Sequence, residues 1–206
     1  MARLNALLTR ILEQPWIYRL WIAPYAEQKL RSVRAHNDFH SIKRVLDVGC
    51  GPGTNARHFA ATDYLGIDIN PAYIASARRR YGRAFVAADV TTYEVARDQR
   101  FDFILINSLF HHLDTPDVLR ILRHLQGLLT DDGHVHVAEL VLPPEPSVAR
   151  FLARHDRGSF VRTLAEWRGL LEGVLDPVVE EPYTVGTLGV TLWHMIYFKG
   201  RGKGAT

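Results

Sequence analysis

The order of apolar and polar positions divides the chain into a helical amino-terminal part and a longer part in which strands and helices alternate. Apolar residues over Leu4–Leu12 repeat at helical spacing and predict a short amphipathic helix. A second helix is predicted to begin at Pro15, with Trp16 and Leu20 on one face. From Lys43 onward, short apolar runs alternate with helical stretches, which is typical of a parallel sheet with crossover helices.

The alternating part predicts a sheet that is nearly all parallel. The predicted strands are Arg44–Val48, Tyr64–Ile69, Arg83–Ala87, Phe101–Ile106, Gly133–Leu142, Val178–Val185 and Val190–Phe198. The predicted helices are Asn55–Ala61, Pro71–Tyr81, Tyr93–Asp98, Thr115–Leu129 (with Thr115 as N-cap), Ser147–His155 and Leu164–Leu175. The last two strands are joined through Gly186 and Gly189, so they resemble a hairpin. We therefore predict an α/β fold with a Rossmann-like, doubly wound sheet that is mostly parallel and has an antiparallel C-terminal edge strand.

Composition indicates a soluble globular protein. The chain has 206 residues, of which 47% are hydrophobic and 23% charged, and this excludes a disordered or fibrous chain. The single cysteine, Cys50, excludes a disulfide framework and favours a reducing compartment. We found neither an apolar run of the roughly 18–20 residues that a membrane span needs nor a signal-peptide pattern, so we expect a cytoplasmic protein.

Charge is unevenly distributed along the chain. The 25 basic residues barely exceed the 22 acidic ones, which does not favour a nucleic-acid partner. Residues 1–44, however, hold eight basic and three acidic residues, together with Trp16, Tyr18, Trp21 and Tyr25. The amino-terminal arm is therefore both basic and aromatic.

The clearest chemical motif is VLDVGCGPGT, residues 45–54, in which a predicted strand runs into a glycine-rich turn. Gly49, Gly51 and Gly53 allow a sharp turn and a close approach of the backbone to a ligand. The next strand ends in GIDIN and places Asp68 nineteen residues after Gly49, where a carboxylate can accept both hydroxyls of a ribose. The pair predicts a nucleoside-binding site at the carboxyl end of the sheet.

The motif does not match other common nucleotide sites. A dinucleotide fingerprint requires a third glycine where this chain has Thr54, and we found no Gly-Lys-Ser/Thr of a P-loop. The stretch instead resembles motif I of the class I S-adenosylmethionine-dependent methyltransferases. The resemblance continues through AADV, which contains Asp89, and through INSLFHHL, residues 106–113, which looks like the motif after the fourth strand in the small-molecule branch. It covers roughly residues 43–142.

The resemblance implies S-adenosylmethionine as the cofactor and gives roles to individual residues. Asp68 matches the residue on the ribose, Asp89 the residue near the adenine amino group, and Asp47 the residue near the methionine ammonium. Asn107 would lie close to the methyl group, and the alternative role for Asp47 is that of a turn cap. The implied cofactor site comprises Asp47, Gly49, Cys50, Gly51, Gly53, Asn55, Asp68, Ile69, Asp89, Val90 and Asn107.

Three residues are candidates for acid–base catalysis. His111 and His112 follow the fourth predicted strand, on the ligand side of the sheet, although a histidine here can instead hold the loop in place. Glu139 interrupts an otherwise apolar strand and is interpreted as substrate-facing, with a strand-end charge as the alternative. His134 and His136 share one strand face without a recognisable third ligand, so we predict no metal site.

The sequence favours a small-molecule acceptor with an oxygen or nitrogen nucleophile. After the fourth strand, Asn107 is followed by Ser-Leu-Phe, without the prolines of the enzymes that methylate bases. Methyl transfer would then be an in-line displacement driven by proximity and alignment. One alternative is a non-catalytic or regulatory protein with a methyltransferase fold. A second is an RNA methyltransferase, which the isoelectric point of about 9.1 favours. A third is a nicotinamide oxidoreductase, which Thr54 opposes.

The predicted organisation is an arm over residues 1–42, a methyltransferase domain over 43–199 and a flexible tail over 200–206. We interpret the arm as a lid over the active site, because only a short insert follows the fifth strand. Deleting residues 1–34 is therefore expected to leave a folded core. The alternatives are that the aromatic rings dock the arm on the sheet, or that they contact a membrane surface. The sequence makes no prediction of the oligomeric state.

Overall fold

A computed structural model describes residues 25–156 and 158–204 of the chain. The predicted helix over Leu4–Leu12 and the predicted helix from Pro15 lie outside the described residues. So do the rings of Trp16, Tyr18 and Trp21.

The core of the molecule is one seven-stranded sheet with the order β3-β2-β1-β4-β5-β7-β6. Its strands are β1 (Arg44–Val48), β2 (Asp63–Asp68), β3 (Ala84–Ala87), β4 (Phe101–Asn107), β5 (Leu129–Val141), β6 (Leu175–Thr187) and β7 (Val190–Gly202). β1 to β5 are parallel, whereas β7 pairs antiparallel with both β5 and β6. This confirms the predicted doubly wound sheet with an antiparallel C-terminal strand. β7 is inserted next to β5, so β6 is the outermost strand, where its Pro177 and Pro182 are tolerated.

Helices cover both faces of the sheet. They are α1 (Ala26–Lys29), α2 (Arg31–Ala35), α3 (Pro71–Tyr81), α4 (Thr115–Gly127), α5 (Val148–Arg154) and α6 (Leu164–Glu172). Short 3₁₀ helices cover Thr54–Phe59, Val90–Thr92, Arg97–Gln99 and Phe110–His112. The longest helix of the described part has 13 residues, and none is long and apolar enough to cross a membrane.

Two local predictions were wrong. The predicted helix over Tyr93–Asp98 is replaced by separate 3₁₀ turns on either side of Tyr93–Ala96. The N-cap of α4 is Asp114 rather than Thr115, because the Asp114 carboxylate accepts the N–H of Asp117 at 2.9 Å.

The end of the chain is more ordered than the sequence indicates. β7 extends through Gly202, so residues 200–202 belong to a strand and not to the predicted flexible tail. Gly200 pairs with Val135 on one side and Pro177 on the other, because the neighbouring strands are longer than predicted.

The described part of the predicted arm is built into the protein core. Leu30 and Val33 are both 0% exposed and pack with apolar residues from one face of the sheet, Val45 and Phe103 among them. The hydroxyl of Tyr183 on β6 donates to the carbonyl of Lys29 at 2.5 Å. The structured domain therefore begins before the boundary predicted at residue 43.

Candidate active site

The glycine-rich turn after β1 has a backbone conformation that favours glycine. Gly49, Gly51 and Gly53 all have positive φ angles, of 67°, 53° and 79°. A Cβ on Gly49 would lie 2.8 Å from the side chain of Leu109, and one on Gly53 would lie 2.8 Å from the ring of Phe85. The space above Gly51 is open for 4 Å, so a ligand can approach the backbone there.

The carboxylate of Asp68 is fixed against this turn. One oxygen accepts the N–H of Gly51 at 2.9 Å and the other accepts the N–H of Asn70 at 2.8 Å. Burial raises the pKa of Asp68, and the two backbone hydrogen bonds oppose that rise. Each oxygen keeps a second lone pair for a ligand hydroxyl. The structure thus brings the two halves of the predicted nucleoside motif into direct contact.

A cavity of about 140 Å³ opens beside Asp68. Its lining is mostly apolar and includes Ile69, which is 75% exposed, and the half-buried Leu113, with the Asp89 carboxylate as a second charge. Asp89 accepts the N–H and the hydroxyl of Thr91 at 2.9 and 2.7 Å, and these bonds lower its pKa. Val90 is buried behind it. An apolar slot with acidic groups at its rim suits a flat base attached to a ribose.

Asp47 lies beneath the site rather than on its surface. Its side chain is 0% exposed, accepts the Tyr64 hydroxyl at 2.6 Å and is contacted by the amide of Asn55. Burial raises the pKa of Asp47 to about 7 against the effect of these hydrogen bonds. The Asn107 amide in turn donates to Asn55 at 3.3 Å. Asp47 is therefore connected to the end of β4 through two asparagines. Cys50 is also buried, and burial raises the pKa of its thiol.

His111 and Glu139 form a buried ion pair at the ends of β4 and β5. Glu139 is 0% exposed, accepts the N–H groups of Leu109 and Phe110 at 2.7 and 2.6 Å, and accepts His111 Nδ1 at 2.8 Å. These three contacts hold the loop after β4, and a fourth joins Glu139 to the N–H of Leu140 in its own strand. The expectation that Glu139 faces the substrate is wrong, because its charge is used inside the protein.

A second carboxylate encloses the His111 ring from the other side. Asp156 lies 3.3 Å from His111 Nε2. Burial opposes the charge on His111, but the charge of Glu139 and the hydrogen bonds that the ring donates to both carboxylates raise its pKa to about 9. His111 is therefore protonated near neutral pH and cannot accept a proton from a substrate. Of the three predicted acid–base residues, the exposed one is His112.

His111, His112 and Asp156 also place three ligand-type atoms within 4.8 Å of one another. A metal ion would need the neutral imidazole of His111 as its ligand. Since both ring nitrogens of His111 face carboxylates, the geometry indicates an ion pair rather than a metal centre.

Sequence reasoning missed Lys29 and Ser108. The Lys29 ammonium donates to the Ser108 hydroxyl at 3.0 Å, across 79 residues of sequence. Ser108 follows β4 and has a backbone φ of 59°, which is uncommon for a residue other than glycine. Lys29 was assigned to the arm, and no spacing signal in the sequence connects it to this loop.

A larger cleft of about 800 Å³ lies at the opposite edge of the sheet, lined by residues such as Arg44, Asp102 and Lys199. Arg44 is the first residue of β1 and Asp102 is the second residue of β4, so this cleft lies at the amino ends of the parallel strands. Ligands of doubly wound sheets bind outside the carboxyl ends, near the reversal of strand order. That reversal lies between β1 and β4, next to Gly49 and Asn107, so the smaller cavity belongs to the candidate site.

Comparisons with known proteins agree with this geometry. Residues 45–133 match a family model described as a methyltransferase domain. A trans-aconitate 2-methyltransferase of Methylobacterium radiotolerans is 38% identical over 93 residues, covering 43% of this chain and 34% of the relative. The Escherichia coli protein of the same name is 33% identical over 125 residues, covering 57% of this chain and 48% of the relative. The chain thus spans less than half the length of these two curated relatives.

A solved structure shows the same fold over nearly the whole chain. The N-methyltransferase NodS from Bradyrhizobium japonicum, in complex with S-adenosyl-L-homocysteine, has a TM-score of 0.73 at 18% identity, covering 95% of this chain and 96% of NodS. Residues 45–133 thus match a methyltransferase domain, and the chain shares the fold of a methyltransferase whose structure contains S-adenosyl-L-homocysteine.

Proposed function

We propose that the protein transfers the methyl group of S-adenosylmethionine to a small-molecule acceptor. The observation that carries the proposal is the arrangement of Asp68, Asp89 and the glycine turn around one cavity at the carboxyl edge of the sheet. This donor set fits a nucleoside with a positively charged tail, because it offers carboxylates and open backbone, and the glycine-rich motif lacks the Gly-Lys-Ser/Thr of a P-loop.

Each part of the site has a proposed task. Asp68 would hold the ribose, while Ile69, Val90 and Asp89 would enclose the base. When bound, the cofactor supplies an electrophilic methyl group on a sulfonium. Asn107 ends β4 beside the glycine turn and would orient the amino acid end through its link to Asn55. The protein's main contribution is alignment in a site that excludes water.

The chemistry of the acceptor decides whether a base is needed. A hydroxyl must lose a proton, whereas a carboxylate is already a nucleophile and an amine needs only to be neutral. His112 is the proposed base for hydroxyl acceptors, because Glu139 and His111 are committed to each other. The relatives named trans-aconitate 2-methyltransferases indicate that carboxylate acceptors should be tested first.

Calorimetry tests the cofactor assignment directly. We expect S-adenosylhomocysteine to bind and NADH to bind far more weakly. Asp68→Ala should weaken S-adenosylhomocysteine binding by about 1.5–3 kcal/mol, the scale of charge-assisted hydrogen bonds. Asp63→Ala, at the opposite end of the same strand, is the matched control and should bind normally. Comparable NADH affinity, or an Asp68→Ala variant with normal affinity, would contradict the proposal.

Transfer of a labelled methyl group then tests the activity and the class of acceptor. The protein is incubated with labelled S-adenosylmethionine and a cell extract, and label is measured in small molecules, lipids and RNA. We expect the label in the small-molecule fraction. Label in RNA would favour the RNA methyltransferase alternative, and cofactor binding without any transfer would favour the non-catalytic one.

A further inference from the structure

Lys29 ends helix α1 with its side chain directed into the site. Its ammonium donates to the Ser108 hydroxyl at 3.0 Å and lies 5.7 Å from the ring centre of Trp193 on β7. The Lys29 carbonyl accepts the hydroxyl of Tyr183 on β6, and this hydrogen bond fixes the backbone of Lys29. Glu27 on the same helix pairs with Arg57 at 2.9 Å, in the 3₁₀ turn that follows the glycine turn. The position of the ammonium is therefore set by three separate parts of the fold.

Among the residues that the structure describes, no carboxylate oxygen lies within 4 Å of the Lys29 ammonium. Glu139 and Asp156 are the nearby acids, and both are in contact with His111. Burial lowers the pKa of Lys29, and the charges of these two acids oppose that effect. Since its hydrogen bond within the described residues goes to a hydroxyl, the half-buried Lys29 side chain keeps N–H donors for a further, anionic partner.

A chain of polar side chains leads from Lys29 to the cofactor side of the sheet. The Ser108 hydroxyl donates to Asn107 at 3.2 Å, and the Asn107 amide donates to Asn55 at 3.3 Å. Asn55 then contacts the Asp47 carboxylate. Lys29 thus lies at the end of a network that passes beneath the edge of the glycine turn, where the amino acid end of the cofactor is proposed to lie.

We propose that Lys29 is a binding residue for a carboxylate in this site. The inference rests on the proposed function, because it assumes that a ligand binds between the glycine turn and β4. A carboxylate can come from the amino acid end of the cofactor or from the acceptor. The network through Asn107 and Asn55 favours the cofactor, and the experiment separates the two sources.

The test compares two ligands that differ in the amino acid end. S-adenosylhomocysteine carries the carboxylate, whereas 5′-methylthioadenosine is the same nucleoside thioether without the amino acid. For Lys29→Met we expect the affinity for S-adenosylhomocysteine to fall about 10- to 100-fold, the scale of a hydrogen bond to a charged group. The affinity for 5′-methylthioadenosine should not change. Lys199→Met, which removes one positive charge from the larger cleft, is the control and should bind both ligands normally.

A second arm identifies an acceptor carboxylate. If S-adenosylhomocysteine binds Lys29→Met normally, trans-aconitate is titrated into that complex and into the wild-type complex. Binding that depends on Lys29 assigns the residue to the acceptor. The Lys29 proposal is overturned, with the proposed function intact, if neither S-adenosylhomocysteine nor trans-aconitate binding depends on Lys29, or if 5′-methylthioadenosine loses as much affinity as S-adenosylhomocysteine.

Two further measurements keep the outcome clear. Thermal melting of the free Lys29→Met variant checks that it is folded, and Lys29→Gln, which keeps an N–H donor without the charge, gives the same comparison if the methionine variant melts early. A wild-type protein that binds neither nucleoside would overturn the proposed function together with the Lys29 assignment.

Discussion

Adjacent histidines after β4 have different environments because they lie in a 3₁₀ turn. Successive side chains of a 3₁₀ helix are about 120° apart, which follows from its three residues per turn. In the turn Phe110–His112 this places the ring of His111 inside, against Glu139, and leaves His112 exposed. The sequence predicted the location of both residues but could not tell which one is buried, because that depends on the partner in β5.

Glu139→Gln tests the buried ion pair. We expect it to lower the free energy of unfolding by about 1–3 kcal/mol at pH 7, because the His111 charge loses its nearest counter-charge. The raised pKa of His111, about 9, means that its contribution is complete below about pH 6.5 and is lost as pH rises through 9. The difference between wild type and variant should therefore be smaller at pH 10 than at pH 7.

Urea denaturation at both pH values measures this difference. Glu145→Gln changes an exposed carboxylate and is the control, expected to have little effect at either pH. An equal loss of stability for Glu139→Gln at pH 7 and pH 10 would mean that the His111 charge plays no part.

The predicted bounds of helices and strands were confirmed where the local residue pattern determines the structure. β1 and α3 have the predicted bounds, because a continuous apolar run and a helix that begins with Asn70 and Pro71 are local signals. β5 begins at Leu129, before the predicted start at Gly133, and β7 ends at Gly202, after the predicted end at Phe198, because strand length depends on which neighbour offers hydrogen bonds. α1 and α2 were assigned to a separate arm, because nothing in the sequence shows that Leu30 and Val33 meet the sheet.

Deletion of residues 1–34 should therefore unfold the protein or nearly so, contrary to the expectation from sequence. Leu30 and Val33 are fully buried, and truncation of one such side chain to alanine costs about 2–5 kcal/mol for leucine, against a typical total of about 5–15 kcal/mol. Leu30→Ala measures the effect with the chain intact, and Arg34→Ala on the exposed side of α2 is its control. Normal thermal stability of the 1–34 deletion would show that these contacts are unimportant.

A deletion of residues 1–24 examines the proposed lid separately. It retains every residue whose packing is described, so we expect normal cofactor binding. The loss of Trp16, Tyr18 and Trp21, together with three basic residues of the arm, should abolish most of the turnover. Normal turnover would mean that the arm is not a lid.

For the molecule as a whole, the two sides of the site were not equally predictable. The proposed cofactor side comes from the ends of β1, β2 and β3, and its glycines and acids follow at regular intervals in the sequence. The other side is assembled from residues far apart in the chain, namely Lys29, Asp156 and Trp193. Their proximity results from the position of β7 beside β5 and the packing of α1, and no spacing in the sequence encodes it.

Because folding assembles this site, its ligand should stabilise the whole domain. A ligand present at 100 times its dissociation constant adds about 2.7 kcal/mol, which raises the melting temperature of a domain of this size by about 5–10 °C. We expect this shift with S-adenosylhomocysteine and none with NADH at the same concentration. For Lys29→Met, a 10- to 100-fold weaker complex leaves about 0.4–1.4 kcal/mol at that concentration, so the shift should fall to about 1–5 °C. Thermal scans measure the shifts of the wild type with S-adenosylhomocysteine, of the wild type with NADH and of Lys29→Met with S-adenosylhomocysteine. An equal shift with NADH would mean that the stabilisation does not come from the Asp68 site.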